Sequence, residues 1–266
     1  MYEKCYLFFE FVDVKISIIT IVYNNKECIS DCIESVLQQS YKNIEHIVID
    51  GGSTDGTQQV IESYQDKLAY YTSEKDNGLY DALNKGIKKA TGDIIGILHS
   101  DDVFYDIYVV EKIMKAFNES NAELVYANGV FVERDNPEKI KRVYSSKPFK
   151  KYYLLFGWIP LHTTIYVKKR VFKEYGLYNL DYSIASDYDI SLRWFKNNSI
   201  VKCFLDEYVV KMRLGGKSTT ANLQKIKSKE DFQIIKKHEL LGLITLFYKI
   251  FRKIPQYLKP YLTSRF

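Results

Sequence analysis

With 266 residues and an apolar fraction of 46%, the chain has material for one large α/β domain with a sizeable core. A formal charge of +5 and a pI near 8.7 make a mild basic excess, with acids concentrated in the middle and bases towards the C-terminus; this turns the tail towards an anionic or lipid surface and argues against a nucleic-acid groove. Four cysteines, Cys5, Cys28, Cys32 and Cys203, make no CxxC pair and no disulfide framework, so they read as reduced thiols in a cytoplasmic protein.

Residues 1–14 read as an N-terminal extension. Phe8, Phe9 and Phe11 are interrupted by Glu10 and Asp13, without the basic start or long apolar core of a signal peptide. Ile16 to Val22 is almost wholly β-branched and predicts a central parallel strand, ended by Tyr23-Asn24-Asn25. Glu27 to Gln39 has helical spacing of Ile29, Ile33, Val36 and Leu37. A second strand over Ile44 to Ile49 meets the glycine-rich turn Asp50 to Thr57, with Ser53 or Thr54 placed to cap a helix over Gln58 to Tyr64. A short strand, Leu68 to Thr72, precedes the turn Asp76-Asn77-Gly78 and a helix over Leu79 to Lys89 whose core face would be Leu79, Ala82, Leu83 and Ile87. Then comes the strand Asp93 to Leu98, His99-Ser100-Asp101-Asp102, and a helix over Asp106 to Phe117. This alternation predicts a doubly wound, mostly parallel sheet.

Beyond Ala122 the pattern becomes mixed. Strands are expected over Leu124 to Arg134, Lys139 to Tyr144, Ile165 to Val167 and Val201 to Met212, and helices over Lys169 to Tyr175 and Asp187 to Asn197. Arg213-Leu214-Gly215-Gly216-Lys217-Ser218 reads as a mobile loop and Asn222 to His238 as a polar helix. No linker separates the halves, so residues 15–220 read as one domain and 221–266 as a helical appendage. No run approaches the roughly 20 apolar residues of a spanning helix. Within the appendage Leu243, Leu246, Phe247, Ile250 and Ile254 share one helical side among Lys249, Arg252, Lys253, Lys259 and Arg265. A basic amphipathic helix in a membrane interface and a helix packed on the body are both open.

The chemistry concentrates at the strand ends. Two adjacent carboxylates at the end of a buried strand are costly unless a positive group sits on them. That end of an open α/β sheet is where ligands bind. Asp101-Asp102 therefore reads as the holder of a divalent cation and a sugar-nucleotide diphosphate; an Asp-Asp turn capping the next helix is the alternative. The turn Asp50 to Thr57 has neither GxGxxG nor Gly-Lys-Ser/Thr, which excludes an ordinary dinucleotide or P-loop site. Asp50 at the end of strand two can accept hydrogen bonds from a base or ribose.

Five segments in order, Ile16 to Asn24, Ile47 to Thr57, Asp76-Asn77-Gly78, Gly92-Asp93 and Ser100-Asp101-Asp102, resemble glycosyltransferase family 2, the inverting enzymes with a GT-A nucleotide-sugar-binding fold. The resemblance runs from about residue 15 to about residue 218. It implies that Thr20, Val22 and Asp50 line the nucleoside pocket with Asp76 nearby, that Asp102 holds Mn²⁺ or Mg²⁺, and that Asp101 meets the ribose or a metal-bound water. Many relatives carry Asp-Asp where this chain has Asp50-Gly51, so the contact of that second carboxylate does not transfer and the base is left open. Asp81 and Asn84 are candidate sugar or base contacts on the helix after Gly78, or members of a solvated face.

Inverting transfer needs one base on the acceptor side. Ala185-Ser186-Asp187-Tyr188-Asp189 resembles the family's acidic motif, with Ser186 where Glu is common. Asp187 is then the base. Asp189 is its rival, or a partner for Arg193 four residues on. His162 is placed to orient the acceptor or meet the diphosphate, or is a packed histidine. Arg213 and Lys217 flank the paired glycines and are candidate phosphate contacts. The expected activity is transfer of a hexosyl group from a UDP-sugar to a glycan or lipid-linked glycan, in bacterial capsule, O-antigen or exopolysaccharide synthesis, at the inner face of the membrane. The alternatives are a sugar-1-phosphate nucleotidyltransferase, disfavoured because Tyr23 to Lys26 is no triphosphate loop, and a non-catalytic nucleotide-sugar binder.

Overall fold

A computed structural model describes residues 14–215 and 221–262. At its centre lies β1 (Ile16–Val22), with all seven residues buried, as its β-branched composition requires. It pairs in parallel with β2 (Ile44–Asp50), Ile16 opposite Ile44 and Val22 opposite Asp50. Helix α1 (Ile29–Leu37) connects them, and α2 (Thr57–Glu62) leads on to the edge strand β3 (Tyr70–Ser73). Helix α3 (Leu79–Lys89) crosses back to β4 (Ile94–Ile97), on the other side of β1. The two-residue strand β5 (Val103–Phe104) follows, too short to register as a sequence pattern, and then α4 (Val109–Ser120).

The second half is mixed, as expected. It comprises β6 (Leu124–Glu133), β7 (Asn136–Tyr144), β8 (Ile165–Lys168), α5 (Lys169–Tyr175), α6 (Ser186–Lys196) and β9 (Lys202–Arg213). The sheet order is β3-β2-β1-β4-β8-β6-β9-β5. Strand β8 lies antiparallel beside the first part of β6, and β7 antiparallel beside the second. Because β8 is antiparallel to both β4 and β6, the strands β1, β2, β4, β6 and β9 all end at one edge.

Helices cover both faces. Ile16 and Ile18 pack under Cys32 and Val36 of α1 and Val109 and Ile113 of α4. Ile19 and Ile21 pack with Leu83 and Ile87 of α3, Phe172 of α5, and Ile190 and Trp194 of α6. Each fully buried isoleucine contributes about 1.5–3 kcal/mol. Helix α3 lies close on β1 because residue 86 is glycine: a Cβ there would sit 2.5 Å from the Ile19 Cγ2.

The C-terminal part is three helices, α7 (Ala221–Lys237), α8 (Leu243–Phe251) and α9 (Ile254–Leu262). Ile234 and Ile235 of α7 are fully buried in the main core. The single amphipathic tail helix expected from residue 240 is in fact broken at Arg252-Lys253 into α8 and α9. No helix among the described residues is long and apolar enough to cross a membrane. Cys28, Cys32 and Cys203 are free thiols. Residues 1–13 of the N-terminal extension, Lys217 and Arg265 lie outside the described residues.

Candidate active site

The common strand edge gathers the site. After β1 the chain turns through Asn24 in the left-handed region, φ 49°, a conformation that asparagine tolerates. Its Oδ1 accepts the Thr54 N–H at 2.8 Å and its own N–H donates to Ser53 Oγ at 2.7 Å. Asn25 Nδ2 donates to Ser100 Oγ at 2.9 Å. Two asparagines thus tie the end of β1 to the turn after β2 and to the loop carrying the acidic pair.

Asp50 is fully buried and braces that turn. Its Oδ2 accepts from Ser53 N at 2.9 Å and Ser73 Oγ at 2.5 Å, and its Oδ1 from Ser53 Oγ at 2.5 Å. These bonds fix the carboxylate's orientation at the end of β2, and a carboxylate has room for about four hydrogen bonds, so capacity is left for the base or ribose contact expected of it. The cap of α2 also differs from expectation: Asp55, not Ser53 or Thr54, accepts the Thr57 N–H at 3.0 Å. Thr20 is wholly enclosed under α1, its hydroxyl 3.0 Å from His46 Nε2 and 3.7 Å from Cys32 Sγ, so its side chain is not a pocket wall. Val22 closes the apolar cluster of Ile29, Ile33 and Val48 at the strand end.

Beyond Gly51 stands Asp76. A Cβ on residue 51 would meet Asp76 Oδ2 at 2.5 Å and Tyr23 Cδ2 at 3.5 Å, so glycine lets Asp76 and Tyr23 close over the end of β2. Asp76 Oδ1 accepts the Gly78 N–H at 2.9 Å at the start of α3. Asp81 Oδ2 accepts the Asn77 N–H at 3.0 Å and pairs with Lys85 at 3.4 Å. Asn84 is a correction. It is buried, and it clamps the backbone of Tyr178 with Nδ2 to the carbonyl at 2.9 Å and Oδ1 from the N–H at 3.0 Å. The expected core face of α3 holds at Ala82, Leu83 and Ile87 and differs at its start, where Tyr80 is buried and Leu79 is 44% exposed.

Asp101 and Asp102 follow β4. Asp102 is buried, and its Oδ2 has no hydrogen-bond partner. Burial first, and then the Asp101 charge, push its carboxyl well above the usual range, against the backbone and guanidinium of Arg213. Asp101 is raised too, by burial, with Arg134 and Arg213 opposing. Arg213 itself is buried at the end of β9, donating to Arg134 O at 3.1 Å, Asp101 O at 3.2 Å and Asp31 Oδ2 at 2.5 Å. Arg134, on the β6–β7 turn, reaches Asn25 Oδ1 at 3.4 Å.

A divalent cation fits this pair. An orphaned buried carboxylate oxygen beside a second carboxylate wants a hard positive ligand. Among the described residues no group of three or more His, Cys, Asp or Glu forms a cage. A divalent cation on one or two carboxylates completes its shell with water and substrate phosphates.

The acceptor side is joined to the pair through histidines. His99 Nε2 lies 2.7 Å from His162 Nε2. His162 Nδ1 in turn lies 3.4 Å from Asp187 Oδ2, and Tyr80 Oη donates to Asp187 Oδ1 at 3.0 Å. Burial lowers His99 to about 3 and lowers His162 as well, so both imidazoles are neutral near pH 7. With Nδ1–H of His162 directed at Asp187, its Nε2 accepts and His99 donates, a tautomer assigned from the network. Burial raises the Asp187 carboxyl, but His162, Lys227, Lys249 and the Tyr80 hydroxyl outweigh it and hold it below the ordinary value. Asp187 is therefore an anion positioned by a hydroxyl and an imidazole.

Asp189 is engaged elsewhere. Only 1% exposed, it meets Arg193 at 3.1 Å, Lys237 at 3.0 Å and His238 at 3.0 Å, which join α6 to α7. The expected rival base is thus an interior ion-pair centre. The sequence reading missed Tyr80 and Arg134; it took Leu79 as the start of the buried stripe and saw no motif around Arg134.

The chain belongs to glycosyl transferase family 2, whose profile matches residues 17–175. It is 32% identical over 216 residues to an uncharacterized glycosyltransferase of Rickettsia typhi, covering 77% of this chain and 65% of that one, so it spans just under two thirds of that relative. A PGL/p-HBAD biosynthesis glycosyltransferase of Mycobacterium tuberculosis is 27% identical, covering 77% of this chain and 79% of the relative. In fold it is similar to TarS of S. aureus in complex with UDP-GlcNAc, with a TM-score of 0.64, 16% identity, and coverage of 94% and 76%. A mannosyltransferase from Pyrobaculum calidifontis in complex with GDP-Man and Mn²⁺ gives a TM-score of 0.62 at 16% identity, covering 92% and 73%. The fold is GT-A.

Proposed function

We propose that the chain transfers a sugar, with inversion, from a UDP-sugar to a hydroxyl of a glycan or lipid-linked glycan. The observation that carries this is the chain of contacts from Asp187 through His162 and His99 to the acidic pair, which puts a positioned anion and a cation-seeking carboxylate in one site. Asp187 takes the acceptor proton as the hydroxyl oxygen bonds to the anomeric carbon. The bond from that carbon to the diphosphate oxygen breaks, and its electron pair leaves with the diphosphate. Tyr80 and His162 hold the carboxylate in place. Asp102, with Asp101, would hold Mn²⁺ or Mg²⁺, which supplies neutralisation of diphosphate charge. Tyr23, half exposed over Gly51, and Asp76 flank the nucleoside end. Arg134 and Arg213 add fixed positive charge on the phosphate side. Asp81 at the start of α3 remains a candidate sugar contact.

The complexes of TarS with UDP-GlcNAc and of the mannosyltransferase with GDP-Man and Mn²⁺ support a nucleotide-sugar donor and a divalent cation. The mycobacterial relative named for PGL/p-HBAD biosynthesis supports a biosynthetic role, and the proposal places it in building surface glycans at the inner face of the membrane. The test is a thermal-shift screen of nucleoside diphosphates with and without Mn²⁺. UDP with Mn²⁺ should raise the melting temperature by several degrees, and Asp102→Ala should abolish the metal-dependent part. An undiminished shift in that variant would remove Asp102 from the role given to it.

A further inference from the structure

Helices α8 and α9 are amphipathic the wrong way round for a surface element. Of the residues turned to the body, Leu246 packs on the main core and the other contacts are polar. Thr245 is fully buried, donates to the Leu155 carbonyl at 2.7 Å and accepts the Leu241 N–H at 3.0 Å. Lys249 pairs with Asp231 at 2.5 Å and sits 3.4 Å above the Tyr188 ring. Arg252 donates to Tyr144 Oη at 2.8 Å, and Gln256 accepts from Arg142 Nε at 2.7 Å. The residues turned outward are apolar: Leu243 is 69% exposed, and Phe247, Ile250, Phe251, Ile254 and Leu258 are each more than half exposed. A surface helix of a globular protein shows the reverse. Phe156, itself exposed, extends the patch through its ring contact with Tyr248 at 5.2 Å.

The two stretches that build this patch carry charge of one sign. Two stretches distant in sequence are packed together here, 139–157 and 240–262, and neither contains an Asp or Glu. They carry Lys147, Lys150 and Lys151, all exposed, together with Arg252, Lys253 and Lys259. A second copy of the chain docking here by two-fold symmetry would bring cations against cations. An anionic lipid surface meets both features, the apolar side chains entering the headgroup boundary and the lysines meeting the phosphates. Each helix has nine residues, about 14 Å, too short to cross the roughly 30 Å hydrocarbon layer but suited to lying in its boundary. The face also runs on to the candidate site. A cleft of about 390 Å³ between α9 and the β6–β7 hairpin is lined by Tyr257, Lys141, Leu214, Glu133 and Arg134, and Arg134 acts electrostatically on Asp101.

We propose that the outer face of α8 and α9, with the lysine-bearing segment 147–156, docks the protein on an anionic bilayer, and that the cleft under Tyr257 opens the site towards that surface. This stands independently of the donor and of the reaction. The test is sedimentation of the full chain with vesicles of phosphatidylcholine alone and of phosphatidylcholine with phosphatidylglycerol. The protein should pellet with the anionic vesicles and be released by salt. The double variant Phe247→Glu with Phe251→Glu should bind at least about tenfold more weakly. Lys150→Gln with Lys151→Gln should lose up to about fivefold per lysine on anionic vesicles and nothing on neutral ones. Circular dichroism and melting temperature of the variants should match the parent, since these side chains lie outside the core. The proposal is overturned if neither vesicle binds, or if binding ignores both double variants. Light scattering that shows a dimer dissolved by Phe247→Glu, without lipid binding, would give the face to a second copy. Binding that appears only on deletion of residues 1–13 would show that segment to be the occupant.

Discussion

Asp187 and Asp189 stand two residues apart in the first turn of α6, and changing each to asparagine should separate a base from a strut. Asp189 is 1% exposed, with Arg193, Lys237 and the His238 ring all within 3.1 Å. Burial raises its carboxyl, but His238, Lys237 and Arg193 overcome that and hold it at about 2 against an ordinary 3.8. That depression of nearly two units corresponds to about 2–3 kcal/mol of folding stability. It is present above the unfolded value and lost as pH falls towards 2. Asp189→Asn leaves Arg193 and Lys237 facing a neutral group, so the same about 2–3 kcal/mol should go, a fall in melting temperature of about 5–10 °C for a chain of this size. Asp187→Asn keeps the shape and the Tyr80 contact, so melting should move by no more than about 2 °C, while turnover drops by about 10²–10⁴ with donor affinity intact. Scanning calorimetry and release of nucleoside diphosphate in the presence of acceptor read the two effects. Turnover within about tenfold of the parent in Asp187→Asn would refute the assignment, as would lost turnover with unchanged melting in Asp189→Asn.

Other expectations follow from neighbouring contacts. Asn84→Leu leaves the Tyr178 N–H and carbonyl without partners and should cost about 2–4 kcal/mol by urea unfolding, with donor affinity unchanged; lost affinity at full stability would return Asn84 to the sugar site. Gly51→Ala pushes the Asp76 carboxylate from its seat, so the Kd of UDP measured by calorimetry should rise by up to about tenfold, and an unchanged Kd would separate Asp76 from the nucleoside end. His46 is buried and His99 part-buried against His162, and both are held at about 3, while the unfolded chain protonates near 6.5. The unfolded state therefore binds more protons below that value, and stability is full above it and falls as pH drops. From about pH 7.5 to about pH 5 urea unfolding should show a loss of about 3–4 kcal/mol from this pair, and equal stabilities would refute it.

Much of the first half of the fold was legible in the sequence. The strand Ile16–Val22 and the helix Leu79–Lys89 appear with the bounds that periodicity predicts, because continuous β-branched runs and glycine stops leave little choice. The acidic pair and Asp187 were legible as motif residues, and the structure brings Asp187 Oδ2 to 3.4 Å from His162 Nδ1. That Asp189 is tied into an ion-pair cluster was not legible, because Lys237 ends α7 and His238 follows it, 48 and 49 residues on. Asn84 was misplaced for a related reason. A polar side chain on a helix looks solvated until the loop that satisfies it, here at Tyr178, is folded against it. Asp50 was read as an acceptor for a base or ribose at the end of strand two; its bonds to Ser53 and to Ser73, one strand over, were not legible because β3 reaches it only in the fold.

The two remaining carboxylates are sorted by what surrounds them. Asp187 has its own donors and cations: Tyr80, His162 and, farther off, Lys227 and Lys249, so its anion is stable without any ligand. Asp102 has a second acid beside it, burial around it and an oxygen with no partner, so its anion is stable only when something positive arrives. Environments that push two carboxyls in opposite directions assign their roles. The one that is already an anion can take a proton, and the one that is starved of charge can hold a cation and, through it, a diphosphate. Between them lies a bond between two neutral imidazoles, His99 and His162. Two protonated imidazoles could not share that bond, since both would be donors. The bond between them therefore needs at least one neutral imidazole, and burial, the main influence lowering both, keeps them neutral near pH 7.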